Sequence, residues 1–297
     1  VSEAGPWGTF AFLPVTDGTF IKDLPSSQLH SGSSSLNGKR ILSGNLANEG
    51  VPLSPYAKSL AEFRAYVNTT FPHFSADDKA ALEAQYSYAG DDETTDPSAP
   101  LFATSGTTSL TAVNQSTFGT GQQQRTFNVF AEYAFDCPSY WLASAFSNAS
   151  WKYQFSAPPA YHGFDLQALW SGTKMPGKSF KHAFRKMWGN FIVFDDPRIS
   201  VADAKGGAVD SEVPEDVDGT GIVEWPVWKE NGMEVLLNLN TTGGVATWTN
   251  VTAELRYQVY MDPGVANVVK LADAYEWEGG RGRRCEWWAE MAQKVPY

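Results

Sequence analysis

Between Arg40 and Gly44 the run RILSG is apolar and then broken by glycine, the pattern of a short buried strand that ends in a turn. Behind it Tyr56, Leu60, Phe63 and Val67 return every three or four positions. That spacing predicts an amphipathic helix, with Ser54 as its N-cap and Pro55 in its first turn. A second helix is predicted over ADDKAALEAQY, opened by Ser75 with Asp78 three positions on. The aromatic-rich TFNVFAEYAFDCPSYWLASAF, from Thr126 to Phe146, is helical in pattern, and Pro138 marks a kink or a restart. WKYQFS, from Trp151 to Ser156, alternates aromatic and polar residues as a strand does. KSFKHAFRKMWGNFIVF predicts a helix that buries Phe180, Phe184, Trp188 and Phe191, and RCEWWAEMAQK a short last helix. SGSSSLNGK, GDDETTDPSAP and APPAYHGFD read as loops, and Asp203 to Asp218 as an exposed acidic loop. No repeat or linker divides the chain, which predicts a single domain over 1–297.

With 42% hydrophobic residues and 11 tryptophans, the chain has the material for a substantial core. A net charge of −11 and the lack of a Lys/Arg stripe exclude a nucleic-acid partner. Arg281, Arg283 and Arg284 form a short basic cluster that reads as a solvated turn. No apolar run reaches the roughly 18–20 residues that span a membrane. Asn68, Asn114, Asn148, Asn240 and Asn250 each open an N-x-S/T sequon, and together they point to a secreted, glycosylated protein. Cys137 and Cys285 are the only cysteines, an even count that suits one disulfide in an oxidising compartment and is too small for a zinc site. No metal is expected.

Candidate chemistry then narrows to two side chains. Glu49 sits between the turn formers Asn48 and Gly50, just past the first predicted strand. His162 sits on a Pro-rich loop just past the second, with Gly163 after it. The other histidines lie in a helix pattern (His182) or beside polar turn residues (His30, His73) and read as structural or surface groups. An acid and then a histidine, each on a loop after its own strand, follow the chain order of the last two triad members in α/β-hydrolases.

The stretch FAFLPVTDGTFIKDLPSSQLHSG followed by KRILSGNLANEG resembles the approach to the triad acid in type-B carboxylesterases, the cholinesterase-like branch of the α/β-hydrolases. Gly44, Glu49 and Gly50 fall on that family's G-x-N-x-x-E-G pattern, with Asn45 one position before its Asn place. AFDCPSYWLASAF resembles its C-P helix, WKYQF the next strand, HGFDL the turn that carries the catalytic histidine, and FRKMWGNFIVFDDP the helix after it. The resemblance runs in order from about Thr9 to Trp228. It implies an α/β fold, a mostly parallel sheet with flanking helices. It also implies Glu49 as triad acid, His162 as general base, Phe10 and Phe12 as substrate contacts in an acyl pocket, and no cofactor. Asp165 stands where the family often has Glu. The resemblance further implies that Cys137, just before Pro138, tethers the C-terminal helix through Cys285.

One element of the family is missing. No G-x-S-x-G occurs in the sequence, and the family places that nucleophile well over a hundred residues before the acid, which here is residue 49. The expectation is therefore the C-terminal half of an α/β-hydrolase fold, completed by a second chain. That partner would be the N-terminal part of the same precursor, carrying the serine and the oxyanion loop, separated by a cut before Val1. The implied activity is carboxylic ester hydrolysis. The alternative is a cholinesterase-like binding or adhesion protein that keeps the fold and does no chemistry.

Overall fold

The computed structural model describes residues 15–30, 36–86, 119, 121–170, 172, 176–208, 210–216, 218–250 and 256–295. A mixed sheet organises them. Strands β1 (Ile41–Leu46) and β2 (Ser150–Phe155) run parallel, in register from Ile41↔Ser150 to Leu46↔Phe155. After β3 (Lys229–Glu230), strand β4 (Met233–Asn250) joins β2 in parallel through Leu237–Leu239. β5 (Arg256–Asp273) then folds back antiparallel along β4, from Asn250↔Arg256 to Val235↔Asp273, with a bulge between Gly243 and Val245. Helix α1 (Pro25–His30) precedes β1. Helices α2 (Leu60–Thr70), α3 (Ala76–Gln85), α4 (Gly121–Ala131) and α5 (Cys137–Ala145) lie between β1 and β2. Helices α6 (Asp165–Leu169), α7 (Lys178–Phe194) and α8 (Val201–Lys205) lie between β2 and β3, and α9 (Trp277–Met291) follows β5.

The alternation read in WKYQFS makes β2 the partition between two layers. Trp151, Tyr153 and Phe155 belong to the core on one side, with Phe180, Phe184 and Met187 of α7. The Phe184 ring meets Tyr153 and Phe155 at 5.6 and 5.3 Å, both nearly edge to face. On the other side α2, α3, α4, α5 and α9 enclose Phe63, Phe71, Tyr86, Phe130, Tyr133, Tyr140 and Trp288. Burying each such ring is worth roughly 1.5–3 kcal/mol. Trp188 and Phe191, expected in the α7 core, are only partly buried at its margin.

Three local expectations are corrected or sharpened. The helix behind Glu49 starts at Ser59, not Ser54, because Ser59 has Glu62 three positions on and closes a reciprocal capping box. Ser54 has Ala57 there, and its hydroxyl instead donates to the Gly50 carbonyl at 3.1 Å. Ser75 and Asp78 do cap α3 as expected. The break in the aromatic helix is a π-helical turn, Glu132–Asp136, after which α5 restarts at Cys137 with Pro138 in its first turn, where a missing N–H costs nothing. The acidic loop begins inside α8, where Ser200 is the N-cap and accepts the Asp203 N–H, and Asp203 pairs with Lys186 at 2.7 Å.

Candidate active site

The turn that carries Glu49 is held by its neighbours in sequence. Gly44 lies opposite Tyr153 in the β1–β2 register, and a Cβ there would enter the tyrosine ring. Gly50 runs against the backbone of Phe127 in α4, so a side chain at that position would collide with the Phe127 carbonyl. Between them, the Asn45 side chain donates to the Leu46 carbonyl at 3.1 Å and accepts from buried Lys152. Asn48 donates through its amide side chain to Pro159 at 3.1 Å and through its backbone N–H to Ala160 at 3.0 Å. Asn48 thus docks the acid turn onto the loop after β2, while Gly44 and Asn45 seat it against β2 and Gly50 against α4.

That loop leaves β2 through Ser156, whose N–H donates to Leu239 of β4 at 2.7 Å, and turns through cis Pro159 and Ala160, which sits at φ 48°. The His162 N–H donates to the Val51 carbonyl at 3.0 Å, and Asn48 and Tyr161 form a parallel bridge. The result is a direct side-chain contact: His162 Nδ1–H donates to Glu49 Oε2 at 2.6 Å. Glu49 Oε1 accepts the Leu46 N–H at 2.7 Å, so both carboxylate oxygens are engaged. The Glu49 side chain is 5% exposed and that of His162 38%. An acid is thus sealed inside while the far edge of the imidazole faces outward. Among the described residues Nε2 has no hydrogen-bond partner. The hydrogen bond to Glu49 lifts His162 above the usual imidazole range, burial pulls the other way, and the charges of Glu49 and Asp165 add to the lift. Such a pair can take a proton on Nε2 while the carboxylate holds the other nitrogen's proton in place.

Beneath the dyad lies a buried ionic layer. Arg281 and Arg284 of α9, read from the sequence as a solvated turn, are 2% and 4% exposed. They bind carboxylates of the π-helical turn that the spacing of the sequence does not reveal as near. Arg284 grips Glu132 through two hydrogen bonds of 2.7 and 2.6 Å, and Tyr86 adds a third at 2.6 Å. Arg281 donates to Gln154 of β2 at 2.6 Å and lies 3.3 Å from Asp136. Burial alone would raise Glu132, but the two arginines outweigh it and hold the group below the usual range. Burial drives Asp136 up and Lys152 down, with Arg281, Glu49 and Glu132 acting on Asp136 and with Asp136, Arg281 and Glu49 acting on Lys152. Only Arg283 of the basic cluster is exposed, its side chain at 58%.

The remaining sequence-derived sites scatter. Cys137 and Cys285 form a disulfide that joins α5 to α9, Cα to Cα 5.0 Å, as the resemblance implies. Phe10, Phe12 and Asn114 lie outside the described residues. Asn68, Asn148 and Asn250 are exposed. Asn240 is not: it lies 4% exposed within β4 and accepts the Thr241 N–H at 2.8 Å, which leaves no room for a glycan. His182 is solvated beside Asp203 at 3.4 Å, and His30 bonds back to the Ser26 carbonyl at 2.9 Å, both away from the dyad. Among the described residues no His/Cys/Asp/Glu group could hold a metal, and no helix is long and apolar enough to cross a membrane.

No protein-family model matches the sequence, and no curated protein matches it. A solved structure does: the crystal structure of EstA from Aspergillus niger, at a TM-score of 0.57 and 15% identity over 98% of this chain. The chain spans 48% of the length of that structure. The likeness shows the fold: a sheet with parallel β1, β2 and β4, helices on both faces and a dyad at the strand ends is an α/β-hydrolase fold.

Proposed function

We propose that this chain carries the acid and the base of a serine-type carboxylic ester hydrolase, related to the type-B branch. The observation behind the proposal is the 2.6 Å contact between His162 Nδ1 and buried Glu49. The likeness of the fold to EstA supports it. The serine, in this reading, belongs to polypeptide outside these 297 residues, the N-terminal part of the same precursor. It attacks an ester carbonyl, His162 Nε2 takes its proton and later gives it to the leaving alcohol, and Glu49 steadies the imidazolium. Backbone N–H groups of that other part stabilise the oxyanion. The reaction needs no cofactor. The 297 residues are then the C-terminal part of one domain. The three exposed sequons and the disulfide support an extracellular protein, processed and glycosylated.

The test is labelling of the intact secreted protein with a fluorophosphonate, alongside hydrolysis of a short-chain aryl ester. Both should occur in the native protein and be lost in His162→Ala with the fold retained. A folded native protein that takes no label and turns over no ester would favour the non-catalytic binding reading instead.

A further inference from the structure

The dyad has a third contact that neither the acid turn nor the histidine loop supplies. The ring of Phe135 lies against the His162 imidazole, centroids 4.5 Å apart and planes inclined by 37°. Phe135 is the fourth residue of the π-helical turn Glu132–Asp136, the one place where the long aromatic helix departs from α geometry. Such turns insert a residue and redirect the side chains around them. Here the flanking residues are anchored in different directions. Glu132 is bound by Arg284, Asp136 lies beside Arg281, and Cys137 is bonded to Cys285. The Phe135 ring also meets Phe130, centroids 6.0 Å apart and planes inclined by 50°. The ring is therefore held by a second aromatic neighbour while it lies against the histidine. An aromatic face at this distance attracts a cation, and its electrostatic preference is for the imidazolium over the neutral ring.

Resting on the ester-hydrolase reading of the same site, we propose that Phe135 is a positioning residue of the dyad: its ring props one face of His162, keeps the imidazole in line with Glu49 and favours the protonated ring formed during turnover. The charged groups around His162 are Glu49, from the β1 turn, and Asp165, from its own loop. The π-helical turn adds Asp136, which burial, Glu49 and Glu132 push up and Arg281 pulls down. Phe135 adds no charge, so its effect is separable from theirs.

The experiment replaces Phe135 in the complete secreted protein by Leu, by Trp, and by ring-fluorinated phenylalanines of near-native shape. It follows the His162 Cε1–H resonance with pH. Loss of the aromatic face in Phe135→Leu should lower the titration midpoint by about half a pH unit, the size of a modest cation–π term. Fluorination should lower it in steps as the ring face loses negative potential, and Phe135→Trp should restore it. The fluorinated rings carry the test should the Leu variant fail to fold. With an aryl ester, kcat should fall while KM holds. An unchanged midpoint across the fluorinated series overturns the proposal, and a rise in KM without a change in midpoint makes Phe135 a wall of the substrate site instead. The midpoint is read without turnover. A protein that hydrolyses nothing but shows the stepwise shift loses the esterase reading and keeps this one.

Discussion

Glu49 and His162 stand 113 residues apart in the chain and 2.6 Å apart in the fold, Oε2 to Nδ1. The parallel register of β1 on β2 brings their loops out at the same sheet edge, and the asparagine bonds of the acid turn close the remaining gap. The carboxylate accepts a second bond, from the Leu46 N–H, that fixes its orientation independently of the histidine.

Glu49→Gln should therefore leave the fold intact and reduce turnover of an aryl ester by up to about 10⁴-fold, because the amide no longer selects the tautomer or stabilises the imidazolium. His162→Ala should cost at least as much. The double variant should be little worse than the more damaging single one, since the groups act as a unit. Steady-state kinetics on the three proteins decide this. A double loss equal to the product of the single losses would separate the two residues.

The hydrogen bond that His162 donates to Glu49 raises the histidine above the usual imidazole value of about 6.5, and this sets a pH dependence with a definite sign. Catalysis needs the neutral base, so kcat/KM should climb with pH through a group titrating above about 6.5, and in Glu49→Gln that limb should move to lower pH. Stability runs the other way. The protonated histidine is favoured in the folded state, so its contribution is complete below the unfolded value and is lost as pH rises through the folded one. A pH–rate profile and Tm measured from acid to mildly alkaline pH check both limbs.

Arg284 and Glu132 are both buried and share two short hydrogen bonds. Arg284→Met would leave a carboxylate sealed beside Tyr86 with only Arg281 at 3.4 Å to offset it. The expected loss is about 3 kcal/mol, at the lower end of the range for a broken buried pair. Adding Glu132→Leu should recover part of it, because no unpaired charge then remains. Denaturant unfolding of the single and double variants reads the difference. A double variant less stable than the single one would contradict this account.

The legible part of the fold was the part with local causes. Ser75 and Asp78 cap α3 through residues three apart, and each glycine of the acid turn answers a single close approach, Gly44 to Tyr153 and Gly50 to Phe127. The alternation of β2 was legible too, but not its meaning. Polar positions on an alternating strand usually face water, whereas Lys152 and Gln154 are fully buried, covered by the π-helical turn and α9. What makes that face tolerable is Arg281 and Trp277 on Gln154 and Asn45 on Lys152, each more than a hundred residues away, and no spacing in the sequence reports such pairings. The same distance hid the burial of Arg284. The β4–β5 ribbon is not legible in that way, because Gly243-Gly244 interrupts its β-branched runs where the strand bulges. Phe135 was read only as one apolar position of a helix, since a one-residue insertion in the helical register leaves no mark in the sequence.

Among the described residues β1 has a strand on one side only, β2. Its sequence, ILSGNL, has no charge and no proline, the devices that keep an open edge from pairing with other chains, and Leu42, Ser43, Asn45 and Leu46 are buried. We propose that this edge takes a strand from the polypeptide that bears the nucleophile, which would set the serine beside His162 Nε2. In the intact secreted protein, hydrogen exchange over Ile41–Leu46 should then be as slow as over Ser150–Phe155, because an edge closed on both sides opens only with the core. Mass analysis under denaturing conditions should also find either a second polypeptide or a chain longer than 297 residues. Fast exchange along β1, in a protein of this chain alone, would mean that the edge is open and that the serine must reach His162 by another route.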